Sequence, residues 1–257
     1  MARPSDASSW VAETRFSGVL AELALPRVTV RDLLPPELAL ERGCGTARTY
    51  PLLTMFGEQT GSAVHLASMK VRTGAQFHEV LFGIRCLVAR SRTPVLFIPL
   101  MYCDEPVSRW SGNALYGFNK RTASMEWLGT SFVVTPRDEG QVAIRVGIDV
   151  PASRLARRSW VPRMSGLTLL GRRRDGTYAR SAFAWKWSDA SVEPIRVVIE
   201  IVGGLLPGVG PTTLFPPAGR ALCVRDLVWR IGWPRPSSDV ENHHDRSPDV
   251  MGMRFGA

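Results

Sequence analysis

Lysine is scarce in this chain. Its 257 residues include 32 basic ones, but only Lys70, Lys120 and Lys186 are lysine and the rest are arginine. Lys120 stands beside Arg121 in the run Gly117-Phe118-Asn119-Lys120-Arg121. Arginine keeps its proton, whereas lysine can lose one when desolvated or set beside another cation, and is then a nucleophilic amine. Lys120 is therefore a candidate for attack on a carbonyl carbon. The plainer reading, a solvated surface lysine, is the ordinary fate of the residue type. Phe118, Leu115 and Trp127 are the neighbours expected to desolvate the amine. Arg121 is the candidate activating cation, although in an extended segment its side chain points to the opposite face. A substrate carboxylate would call for an arginine fork, and Arg109 is one candidate.

These residues need elements to hold them. An apolar run, Pro94 to Tyr102, leads into Asp104-Glu105-Pro106. The spacing predicts a strand followed by a helix of two to three turns over Pro106 to Leu115, ended by Gly117. Further strands are expected at Arg48 to Phe56, Ala63 to Val71, Glu79 to Val88, Ala123 to Thr135, Gln141 to Val150, Leu167 to Arg172, Thr177 to Trp187 and Leu222 to Gly232. Breaks fall at Gly57 to Gly61 and Thr73-Gly74, and hairpin turns at Arg137-Asp138-Glu139-Gly140 and Arg172 to Gly176. A short helix over Val30 to Leu34, with Thr29 as its cap, stops at Pro35-Pro36. The pattern predicts a mainly β, β-rich α+β protein: an antiparallel sheet or barrel with a few short helices. Residues 1–13 read as a flexible N-terminus, 14–234 as one domain and 235–257, with His243-His244, as a polar disordered tail.

Gly112-x-x-Leu115-Tyr116-Gly117-Phe118-Asn119-Lys120-Arg121, preceded by Asp104-Glu105-Pro106 and an apolar strand, resembles the signature of the acetoacetate decarboxylase-like superfamily. The family pattern pairs a Schiff-base lysine with a second cation, and these fall on Lys120 and Arg121. Acetoacetate decarboxylase is also the standard example of a lysine activated by a neighbouring cation. The family's aromatic-x-Glu falls on Phe77-His78-Glu79, 41 positions before Lys120. The resemblance makes Glu79 a candidate to move a proton at the enamine carbon. It also places the family's early-strand arginine on Arg15, and makes Arg15, Arg109 and Phe118 candidate substrate contacts. His78 reads as structural. Three departures stand out: Asn119 replaces proline, Gly112-Asn113-Ala114 replaces Gly-Arg-Glu, and no acid occupies His65 to Ala67. The segment Gly204 to Pro211 resembles a later family motif without its tryptophan.

The net charge of +9 raises nucleic acid as a partner. The arginines are scattered, however, with clusters only at Arg157-Arg158 and Arg172 to Arg174, and no basic strand is interleaved with aromatics. The four cysteines and four histidines show no metal spacing. No apolar run is long enough to span a bilayer, and no signal peptide is evident, so the expectation is a cytoplasmic protein. The resemblance implies a cofactor-free Schiff-base lyase of a small keto acid, a decarboxylase before an aldolase-dehydratase, forming homo-oligomers. The rival from another class is a ligand-binding β-scaffold in which Lys120 only lends charge. Neither nucleic acid nor membrane is an expected partner.

Overall fold

Most of the described chain is strand. The structure, a computed structural model, describes residues 10–66, 69–151, 168–202, 209–217, 219–237 and 240. The Arg157-Arg158 cluster, residues 204–208 of the later motif, and most of the tail, His243-His244 included, lie outside the described residues, as do residues 1–9.

In chain order the elements are β1 (Trp10–Pro26), α1 (Arg27–Asp32), β2 (Leu38–Leu40), β3 (Thr49–Leu66), β4 (Met69–Arg72), β5 (Phe77–Val88) and β6 (Pro94–Cys103). There follow α2 (Pro106–Ala114), β7 (Lys120–Leu128), β8 (Ser131–Pro136), β9 (Ile144–Pro151), β10 (Thr168–Arg172) and β11 (Tyr178–Lys186). The last are β12 (Ser191–Ile201), β13 (Thr212–Leu214), β14 (Ala221–Gly232) and β15 (Arg235–Pro236). Among the described residues no helix is long and apolar enough to cross a membrane.

Strand pairing follows the order β13-β12-β9-β8-β7-β6-β10-β11-β14-β1-β3-β5-β2. Two further pairings, β5 with β6 and β12 with β14, bend this path back on itself. The β5–β6 contact closes a ring through β6, β10, β11, β14, β1, β3 and β5, which gives the barrel-like form expected. The sheet is mixed rather than wholly antiparallel, because β6 pairs in parallel with both β7 and β10. The β6–α2–β7 crossover accounts for the first of these: parallel neighbours need a helix-length connection.

β5 shows why the apolar runs are so continuous. It lies between β3 and β6 with cores on both faces, so Val80 to Val88 is largely buried on either side. One core holds Phe56, Phe82, Tyr102 and Phe132. The other holds Met101, Phe118, Leu169 and Ile231, and shares Leu81, Trp185 and Trp229 with a neighbouring cluster around Phe16 and Leu20. Each fully buried Phe or Leu contributes roughly 1.5–3 kcal/mol. Between Phe82–Leu100 and Ile84–Phe97 the β5–β6 register shifts, with Ile98 and Pro99 standing opposite Gly83 alone. This is a β-bulge.

Several boundaries differ from the sequence pattern. The glycines at Gly57 and Gly61 do not break β3. Gly57 marks a close crossing with β1, where a Cβ would sit 2.3 Å from the Ser17 carbonyl oxygen. The single strand expected over Ala123 to Thr135 is the β7–β8 hairpin, turned at Gly129 with φ +61°. Helix α1 starts at Arg27 rather than after Thr29, because β1 stays paired to Pro26 and the helix begins where that pairing ends. The turn at Arg173 to Gly176 forms as the sequence implies, with Gly176 N–H donating to the Arg173 carbonyl at 3.0 Å.

Candidate active site

Helix α2 starts on Glu105, whose carboxylate accepts from the backbone N–H groups of Val107 and Ser108, with Pro106 in the first helical position. At the far end the chain turns through Gly117 at φ +69°. Gly117 passes directly against β10, where a Cβ on Gly171 would stand 2.1 Å from the Tyr116 carbonyl oxygen. The Arg172 to Arg174 tip of the β10–β11 hairpin reaches the helix end, and the Arg173 Nη2 donates to the Leu115 carbonyl at 3.0 Å. β7 then begins at Lys120.

The start of β7 is fixed from α2. Asn113 Oδ1 accepts from the Lys120 backbone N–H at 2.7 Å, and Asn113 Nδ2 donates to the Lys120 carbonyl at 2.9 Å. Asn119 Nδ2 donates to the Pro99 carbonyl at 3.1 Å, tying the turn to the bulge of β6. Gly112 leaves room for the lysine stem, since a Cβ there would lie 2.6 Å from Lys120 Cε.

The Lys120 side chain runs inward and is 7% exposed. Its Nζ donates to Glu79 Oε1 at 2.6 Å and to Ser108 Oγ at 2.9 Å. Glu79 is 1% exposed and stands opposite Cys103 in the β5–β6 register. Its Oε2 accepts from Gln59 Nε2 at 3.3 Å, and Gln59 Oε1 accepts from the Trp229 indole N–H at 2.8 Å. The Cys103 thiol beside this group is pushed up to about 11, chiefly by burial and also by the Glu79 charge. It is therefore a thiol, not a thiolate, near neutral pH.

The structure thus brings Lys120 and Glu79 into direct contact. None of the other candidates joins that contact. Arg121 pairs with Tyr102 in the β6–β7 register and is exposed, on the opposite face of β7 from the amine. Arg15 has a side chain 54% exposed and stands 3.8 Å from Asp226. Phe118 is buried and stacks on Tyr116 with ring centroids 5.5 Å apart. Of the three expected desolvating neighbours, Leu115 is exposed and Trp127 packs on Phe132 in the other core. Gly112 lies against the lysine stem, and buried Met101 is the partner of Lys120 in the β6–β7 register. His78 points away from Glu79, 2.9 Å from Asp104 Oδ2 and against Phe132.

A cleft of about 1380 Å³ opens on the outer side of α2. Lys120 borders it, with Arg109, Phe118 and Arg121 and the arginines of the β10–β11 tip. Glu79, Gln59 and Ser108 are not among its lining residues. Lys120 is shared between a closed polar cluster and an open basic cleft.

Four residues of the cluster escaped the sequence reading: Gln59, Ser108, Asn113 and Trp229. Asn113 was visible only as a departure from the family pattern. Nothing in the spacing of Gln59 or Trp229 connects them to Lys120, because strand pairing over 170 positions brings the two together.

The arrangement has the acetoacetate decarboxylase-like fold. Among solved structures, the enduracididine biosynthesis enzyme MppR complexed with pyruvate matches at a TM-score of 0.61 and 14% identity, covering 93% of this chain and 93% of that one. An acetoacetate decarboxylase-like enzyme from Sphingomonas wittichii RW1 matches at 0.58 and 13%, covering 92% and 97%. The acetoacetate decarboxylase of Legionella pneumophila matches at 0.53 and 9%, covering 93% and 92%. No family model and no curated protein matches the chain.

Proposed function

We propose that the protein is a Schiff-base lyase of small keto acids, with Lys120 as nucleophile and Glu79 as its proton partner. The observation that carries this reading is the buried Lys120 Nζ held 2.6 Å from the Glu79 carboxylate. Transfer of one proton along that contact turns ammonium and carboxylate into amine and carboxylic acid. The amine lone pair attacks the ketone carbon. Glu79 returns its proton to the departing hydroxyl, water leaves, and a cationic imine remains. In a 3-oxo acid the bond to the carboxylate then breaks. Its electron pair forms the enamine double bond, the imine π pair moves to nitrogen, and carbon dioxide departs. A proton from water, delivered through Glu79, adds to the enamine carbon. Hydrolysis frees the ketone and restores Lys120. The imine nitrogen is the electron sink, so the sequence calls for no cofactor. The basic cleft bordering Lys120 favours an anionic substrate.

A second reading within the class, aldol condensation and dehydration, is favoured by one comparison. MppR is described as complexed with the condensation product of pyruvate and imidazole 4-carboxaldehyde, and that structure matches this chain at a TM-score of 0.60. There Glu79 would remove a proton beside the imine rather than deliver one.

Sodium borohydride reduction with a panel of keto acids, followed by intact mass and peptide mapping, tests the proposal. An adduct on the Lys120 peptide is the expected result. With acetoacetate, the mass of reduced acetone on that peptide marks decarboxylation, and the mass of intact reduced acetoacetate marks imine formation without it. A folded protein that gives no adduct with any member of the panel is a binding scaffold instead.

A further inference from the structure

Gln59 is fully buried between two groups of opposite demand. The Trp229 indole N–H can only donate, and an ionised Glu79 can only accept. One orientation of the Gln59 amide satisfies both: Oε1 faces Trp229 at 2.8 Å and Nε2 faces Glu79 at 3.3 Å. The flipped amide would set carbonyl oxygen against carboxylate and NH₂ against indole N–H. Trp229 is itself held, opposite Trp185 and Thr14 in the flanking strands, with its ring 5.9 Å from Phe183.

We propose that Trp229 is a positioning residue for Glu79, acting through Gln59. By fixing the amide it ties down Glu79 Oε2 and leaves Oε1 aimed at Lys120. The inference rests on the imine reading above. Within that reading, Oε1 takes or delivers the proton beside the imine from a constant direction. When it takes the proton, the C–H electron pair forms the enamine double bond and the imine π pair moves to nitrogen. Trp229 touches neither the amine nor the reacting carbon.

The test uses Trp229→Phe, which keeps a ring beside Phe183 and removes the N–H. Two steps are read separately with pyruvate as the probe: borohydride trapping on the Lys120 peptide, and exchange of the methyl protons for deuterium in heavy water by NMR. Trp229→Phe should still trap at Lys120 but exchange at least about tenfold more slowly, with the loss in kcat rather than KM. Gln59→Leu should show the same loss, and the double variant no further loss, because both break one chain of contacts. Gln59→Leu decides the matter if Trp229→Phe does not fold. A folded variant exchanging at the wild-type rate, or losses that multiply in the double variant, overturns the inference and leaves the imine reading intact. A wild-type protein that never traps at Lys120 removes both.

Discussion

Asn113 grips the backbone of Lys120 at both ends, accepting from its N–H at 2.7 Å and donating to its carbonyl at 2.9 Å. A side-chain amide here does what a neighbouring strand would do, and so begins β7 at the residue that carries the amine. Asn113→Ala removes both bonds from part-buried groups and should destabilise the fold by about 1–3 kcal/mol. Denaturant unfolding measures this. Asn113→Asp keeps the acceptor and loses the donor, so its cost should fall between alanine and wild type apart from any effect of the added charge.

The Lys120–Glu79 pair should be costly to break from one side. Lys120→Met leaves a carboxylate buried without its cation and should lose about 3–5 kcal/mol. Adding Glu79→Gln to that variant removes the stranded charge and should recover most of the loss. A double variant as unstable as the sum of the two singles would mean that the pair is not coupled.

Gly112 is a steric requirement of the amine. A methyl group there overlaps the Lys120 stem at Cδ and Cε, at 2.7 and 2.6 Å. Gly112→Ala should cost about 1–3 kcal/mol through overpacking. It should also displace Nζ from Glu79, seen as weaker borohydride trapping at Lys120 in a protein that still unfolds cooperatively.

His78 gives the fold a pH dependence on the alkaline side of its usual titration. The hydrogen bond to Asp104 holds the imidazolium above its ordinary 6.5, against the opposing effect of burial, with the Asp104 and Glu58 charges adding to it. The folded state therefore binds this proton more tightly than the unfolded chain. The resulting stabilisation is complete below about pH 6.5 and is lost as the pH rises through the raised value. Denaturation midpoints taken from about pH 6 to about pH 9 should fall, and the fall should be smaller in Asp104→Asn.

Local pattern carried much of this protein. The helix from Pro106, the Gly117 turn and the Arg173–Gly176 turn are written in neighbouring residues, so the sequence displays them. Lys120 stood out because lysine is rare here, and Glu79 through the aromatic-x-Glu resemblance. What stayed hidden depends on strands distant in sequence. Gln59 lies on β3 and reaches Glu79 through the β3–β5 pairing, and Trp229 on β14 reaches Gln59 only across β1. Gly57 signals a break by type, yet it sits mid-strand because another backbone crosses it. Asn113 differs from the family pattern in type, and only its two bonds to the lysine peptide reveal its part.

The bulge at Ile98 and Pro99 makes the turn before Lys120 sensitive to chain length in β6. Side chains on β6 alternate between the two cores, Phe97 and Leu100 to one and Ile98 and Met101 to the other, with Pro99 the extra residue between them. Deleting Pro99 would make the alternation regular, keep Met101 and Tyr102 on their present faces, and remove the carbonyl that accepts from Asn119 Nδ2 at 3.1 Å. A one-codon deletion here would therefore spare the two faces of β6 and loosen the turn that leads into Lys120.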